Sequence, residues 1–206
     1  FPALDHCSPY IHAGSNVVHM LMLSVEVSTA AFIIYISLRA KQYLPVLLVI
    51  VQSLIMVTFE LTSGSTMQIE HSLFVDKFSI IMALIVGIIG SAISLYAIGY
   101  IPEYHEHHKE VKDRRRYFAF LIYLFLSAMF GIVFSNDLIW LYFFWEITTI
   151  CSALLIGYRN DKQSVESMFR ALKMNLLGGV VFAIGLVVLY SSSHTMELDK
   201  LIQLDK

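Results

Sequence analysis

Charge is scarce in this chain. Only 15% of its 206 residues are Asp, Glu, Lys or Arg, against roughly 25% in an ordinary soluble domain, so water is not its main solvent. Cysteine is scarcer still. Cys7 and Cys151 cannot make a disulfide framework, and no cysteine cluster is available to ligate an iron–sulfur centre. No glycine-rich phosphate loop joins a strand to a helix, and no nucleophile is matched with a base. The chain is therefore expected to hold no cofactor or metal of its own, to hydrolyse no nucleotide and to bind no nucleic acid. It opens on Phe1 rather than Met and carries no signal-peptide pattern, which suggests a fragment or a processed chain.

Apolar runs fill the space. Hydrophobic residues make up 57% of the sequence and the mean hydropathy is +0.70. Six segments reach the roughly 20 helical residues that a hydrocarbon core requires: approximately 17–38, 44–62, 78–101, 117–135, 137–158 and 168–190. A soluble all-helical protein would show a polar stripe at helical spacing, but the third, fourth and fifth runs are apolar all round. The expected fold is all-α, a polytopic transmembrane bundle of about six spans forming one membrane domain over residues 1–206. The polar tail 191–206 carries Leu198, Leu201, Ile202 and Leu204, a pattern that suits a short amphipathic helix.

Basic residues set the expected orientation. Arg39 and Lys41 follow the first run, Lys109, Lys112 and Arg114–Arg116 the third, and Arg159, Lys162 and Arg170 the fifth. The stretches between them, "TSGSTMQIEHSLFVD" with Glu70 and Asp76 and the short Ser135-Asn136, have none. The alternation places the N-terminus outside and the basic loops in the cytoplasm. Tyr100, Tyr104, Tyr117, Trp140, Tyr158 and Tyr190 sit at run ends, as interfacial aromatics do.

Against this background Glu146 stands out. It lies near the middle of "NDLIWLYFFWEITTICSALLIGYRND", residues 136–161, about 15 Å from either end of its helix. A charge at that depth costs at least ~2.5–3.5 kcal/mol, so it is expected to face the bundle interior. Tyr142, Thr149, Ala153 and Gly157 share its face and offer small or hydroxylated side chains to a neighbouring helix. A carboxylate poised between desolvation and a nearby cation can load and release a proton. The bland alternative is a protonated Glu making one interhelical hydrogen bond.

Other polar groups are weaker candidates. Lys173 is placed about a turn and a half inside the sixth run, where it either relays protons or snorkels to the interface. Asn175, Gly178 and Gly179 occupy another face, suited to close helix packing. Glu26, mid-run with His19 seven residues before it on the same face, is a candidate relay: the two are expected to make a second hydrogen-bonded pair or to line a water path. Glu60, near a helix end, is expected to be solvated, and Cys151 to be apolar filler. His105, Glu106, His107 and His108 crowd together, but a structural zinc site needs four tetrahedral ligands and a loop beside headgroups explains the basic neighbours. Arg114–Arg116 read as topology determinants and headgroup contacts.

Three stretches, in order, resemble one family. "FVDKFSIIMALIVGIIGSAISLYAIGYI" is similar to the third helix of antiporter-like membrane subunits, "LIWLYFFWEITTICSALLIGY" to their fifth, and "ALKMNLLGGVVFAIGLVVLY" to their sixth. The family comprises the large antiporter-like subunits of respiratory complex I, the Mrp sodium/proton antiporters and the energy-converting hydrogenases, and the likeness covers about residues 72–190. "FFWEITTICS" with "YHEHHKEVKDRRR" before it looks most similar to the Ech-type hydrogenase branch. The first two runs match no family motif.

The resemblance implies the N-terminal part of an antiporter-like fold in a prokaryotic plasma membrane, moving protons, or sodium against protons. It implies other membrane and hydrogenase-like subunits as partners, with iron–sulfur clusters and a nickel–iron centre in them, and reduced ferredoxin as donor. Glu146 matches the family's fifth-helix glutamate, which pairs with a lysine on a seventh helix beyond this sequence; Lys173 is not that lysine. The family also leads us to expect a further helix ahead of the first run.

Overall fold

The computed structural model describes residues 10–11, 16–63, 72–107 and 114–204. Among them six helices are long and apolar enough to cross a membrane: α1 (Asn16–Arg39), α2 (Tyr43–Ser63), α3 (Lys77–His107), α4 (Arg115–Phe134), α5 (Leu138–Ile156) and α6 (Lys162–Ser193). The tail adds α7 (Leu198–Leu204), and β1 (Tyr10–Ile11) pairs antiparallel with β2 (Leu73–Phe74). Helices satisfy every backbone donor and acceptor within the segment, which is what a lipid solvent demands. The all-α, six-span expectation describes this chain.

Two helices outrun their expected limits. α3 continues past residue 101, through Pro102 and into the polar stretch ending at His107. α6 starts at Lys162, not 168, because the Asp161 carboxylate accepts the Ser164 N–H at 3.1 Å and caps it there. Hydropathy reports the length of a helix inside lipid; capping decides where its backbone stops.

Packing sorts the helices into a ring and an annex. α5 touches α1 and α6, and α2 touches α1 and α6, so these four close on one another. α4 lies against the outside of α5, and α3 against α4. A Cβ on Gly131 of α4 would come within 2.6 Å of the Phe144 ring on α5, so that glycine is what lets the two backbones approach. Phe78, Ile81, Leu84, Ile88 and Leu95 of α3 are exposed. A contiguous apolar face of this kind is tolerated in lipid and would aggregate in water.

Basic residues crowd one set of helix ends, with only Lys77 and Lys200 at the other among the described residues. One face carries Arg39, Lys41, Arg114–Arg116, Arg159 and Lys162, with tight turns made by left-handed Lys41 (φ 56°) and Asn160 (φ 59°). The opposite face is tied together by backbone. Asn136 N–H donates to Ser72 O at 2.9 Å, Leu138 N–H to Met196 O at 3.1 Å, and Leu198 N–H to Asn136 O at 2.9 Å. Here Asp76 caps α3, accepting the Ser79 N–H (2.7 Å) and hydroxyl (2.6 Å), which hold its carboxyl below the ordinary carboxylate range.

Asp137 caps α5 at the centre of this face, accepting the Ile139 N–H at 2.9 Å. It is fully buried beside Glu197, itself 1% exposed and bonded to Lys200 Nζ at 3.2 Å; Asp199 lies close by on Asn136. Burial, with a smaller push from Glu197, raises the Asp137 carboxyl from 3.8 to about 7. A raised carboxyl stabilises the fold fully below its unfolded value and loses that contribution as pH climbs through the folded one. The melting temperature of the purified protein should therefore fall by a few degrees between about pH 4 and about pH 7. Asp137→Asn, which still caps the helix, should flatten that slope; an unchanged slope would assign it to another group.

Candidate functional site

The interior of the ring is layered. Toward the non-basic face Met56, Phe59, Leu138, Tyr142 and Leu186 form one apolar cluster; toward the basic face Ile33, Val49, Phe169, Leu172 and Leu176 form another. Between them every helix of the ring contributes a polar or vanishing side chain. Thr29 comes from α1, Gln52 from α2, Glu146 and Thr149 from α5, and Asn175 and Gly179 from α6, around a small cavity of about 20 Å³.

Glu146 does face inward. It is half-buried, and the Gln52 side-chain amide donates a short hydrogen bond to its Oε1. Gln52 is itself 4% exposed, and its own carbonyl oxygen has no hydrogen-bond partner within the chain. Gly179 makes room for it: a Cβ there would sit 2.5 Å from Gln52 Oε1. The Tyr142 hydroxyl, one turn before Glu146, lies beside both the carboxylate and the Gln52 amide. Thr149 has its hydroxyl engaged by Trp145 O at 3.1 Å. No basic residue lines this cavity among the described residues, so the carboxylate is met by neutral donors. A buried carboxylate without a counter-charge is strongly biased toward taking up a proton or a cation.

Gln52 escaped the sequence reading because α2 matches no family motif. Its signal was nevertheless there. It is an uncharged amide amid "YLPVLLVIVQSLIMVTF", and the rule that flags an intramembrane polar group applies to it as to Glu146.

The remaining candidates divide. On α5 Tyr142, Thr149 and Ala153 are buried, as their spacing predicts, and Gly157 forms the C-cap; Cys151 is fully buried. Gly178, expected in a packed seam with Gly179, instead has open space around it, because only one of two successive helical residues can face α2. Lys173 is half-buried and does not line the Glu146 cavity. With α6 starting at Lys162 it lies about three turns into its helix, deeper than the expected turn and a half. Glu60 is not the solvated end-of-helix carboxylate expected: it is half-buried and shares a second cavity with Glu26 and Tyr142, because α1 covers the end of α2. The side chains of His19, His105, His107 and His108 lie outside the described residues. Among those described, no three His, Cys, Asp or Glu side chains gather into a metal site.

The Gln52–Gly179 contact makes a specific prediction. Gly179→Ala should destabilise the bundle by ~1–3 kcal/mol, by forcing the Gln52 amide off Glu146. In a Gln52→Ala background the same substitution meets nothing and should cost far less. A double-mutant cycle by thermal or denaturant unfolding that returns additive effects would show that the two residues do not meet.

Comparison with known proteins places the chain. Residues 135–206 match the family described as NADH:quinone oxidoreductase/Mrp antiporter, transmembrane. Residues 61–118 match that described as NADH-ubiquinone oxidoreductase (complex I), chain 5 N-terminus. Similar curated proteins include antiporter subunit mnhA2 from Staphylococcus aureus strains USA300 / TCH1516, COL and JH9. Each is 31% identical over 138 residues, a stretch covering 66% of this chain and 16% of the relative. Two consecutive matches and an apolar six-helix bundle agree: the chain belongs to the complex I and Mrp antiporter-like family of multi-pass membrane subunits.

Proposed function

We propose that this chain is the ion-translocating, antiporter-like subunit of a ferredoxin-dependent energy-converting hydrogenase, and that Glu146 is its proton-transfer group. The observation that carries the reading is the polar layer itself. Four helices converge at mid-membrane on one carboxylate that neutral groups hold, with no basic side chain lining its cavity among the described residues. A purely structural carboxylate is more cheaply replaced by an apolar residue of similar volume.

The mechanism is electrostatic switching. A charge change in a neighbouring subunit alters the attraction between Glu146 and a lysine on a helix beyond this sequence, and the carboxylate takes up or releases its proton. Gln52 orients the carboxylate throughout. Lys173 and Glu26 are relay candidates on either side of it. Iron–sulfur clusters and a nickel–iron centre belong to partner subunits, which carry out the electron chemistry. The setting is a prokaryotic plasma membrane with the basic face toward the cytoplasm, the side that Lys and Arg loops occupy.

A second reading has an observation in its favour. The similar Staphylococcus proteins are named as antiporter subunits, which fits an Mrp-type exchanger that trades sodium for protons with no electron donor. A complex I subunit would share the same motifs and draw on quinone reduction. Co-purification with a nickel–iron subunit separates the hydrogenase from both.

Glu146→Gln, reconstituted with its complex in proteoliposomes, should abolish coupled ion movement while assembly and electron transfer persist. Pumping at the wild-type rate would reduce the chain to a passive scaffold.

A further inference from the structure

A second polar constellation lies between the Glu146 layer and the non-basic face, outside the carboxylate–lysine scheme. Glu26 of α1, Glu60 of α2 and Tyr142 of α5 line one narrow cavity of about 10 Å³, walled otherwise by apolar residues such as Met56 and Phe143. Glu60 lies in the last turn of α2, three residues from its end at Ser63, next to the non-basic connection. Glu26 lies deeper, close enough to feel both Glu60 and Glu146 electrostatically.

Two polar atoms in this cavity lack partners. Oε1 of Glu26 is buried with no hydrogen bond inside the chain. The Tyr142 hydroxyl is likewise buried with none, on a residue that is 1% exposed. Buried hydroxyls and carboxylates are hydrogen-bonded to something, and a space of about one water's size between three polar side chains suits a single bridging water. Tyr142, which lines this cavity, also lies beside Glu146 and Gln52, and so links the two groups of polar side chains.

Resting on the reading of Glu146 as the proton carrier, we infer that Glu60, Glu26 and Tyr142 form a proton access route joining Glu146 to the non-basic face, with the Tyr142 hydroxyl as its gate. Glu60 exchanges protons with water at the mouth, and Glu26 holds the next water. Tyr142 passes its hydroxyl proton to the Glu146 carboxylate while its oxygen accepts a proton from the water on Glu26, and that water is re-protonated by the Glu26 carboxyl, which is in turn reloaded from Glu60. The phenol is restored at each passage, one proton moves, and no electron does. Release runs the same steps backwards. The route faces away from the basic connections, so it supplies one of the two sides that any translocation cycle must reach.

Tyr142→Phe is the sharpest test, because it keeps the ring in the apolar cluster and removes only the hydroxyl beside Glu146 and Gln52. A merely structural role for that hydroxyl predicts a variant that loses some stability but keeps the wild-type transport rate and pH response once assembled. The access route predicts that coupled ion movement by the intact complex, in vesicles of known sidedness, slows about tenfold or more. It also predicts that the remaining rate no longer depends on the pH at the non-basic face. Glu60→Gln, at the mouth, should lose the same pH dependence and decides the matter if the Phe variant does not assemble. Wild-type rate and pH response in the decisive variant would overturn the route even where Glu146→Gln abolishes transport. If Glu146→Gln is itself without effect, the proposed function fails and takes the route with it.

Discussion

A carboxylate held at the middle of a lipid-solvated bundle by an amide is the constraint around which this structure is arranged. Removing a carboxylate from water costs several kcal/mol even after relaxation, and the protein meets that cost with geometry. Gln52 donates to Glu146, Gly179 gives up its side chain so that Gln52 fits, and apolar clusters close the layer above and below. Each of these choices makes sense only in view of the others. A bulkier residue at 179 displaces the amide, and a displaced amide strands the acid.

The annex of α3 and α4 serves a different purpose. Its helices lie outside the ring, in contact with α5 through α4, and α3 keeps most of its apolar surface exposed. The glycine at 131 brings α4 close enough to α5 to fix the wall behind Glu146. On the non-basic side the short backbone bonds among residues 72–74, 135–138 and 196–198 tie the segment before α3, the α4–α5 connection and the segment after α6 into one patch. Asp137 at the centre of that patch is both helix cap and buried acid. The ring is thus pinned at one end and turned tightly at the other, leaving the mid-membrane layer as the place where charge can change.

Much of this was legible in the sequence. Apolar run length predicts six spans because lipid permits only helices that bond internally. The position of Glu146 in its run predicts an inward-facing acid because nothing else tolerates that depth. Helix ends were less legible: the Asp161 cap and the polar continuation of α3 carry no hydropathy signal. Pairwise geometry was hidden altogether. That Gln52 meets Glu146, ninety-four positions away, and that Gly179 rather than Gly178 faces α2, depend on helix rotation, which periodicity cannot fix when a helix is apolar all round. Glu60 was misread for the same reason, since its burial comes from α1 and not from its own depth.

The central claim is that Glu146 changes protonation as the protein works. Difference infrared spectroscopy of the intact complex in membranes tests it directly, with Glu146→Gln used to assign the band. The account predicts a carboxyl C=O stretch that appears and disappears with turnover, shifts in deuterium oxide and is missing from the Gln variant. A Glu146 band that stays constant through turnover would contradict it.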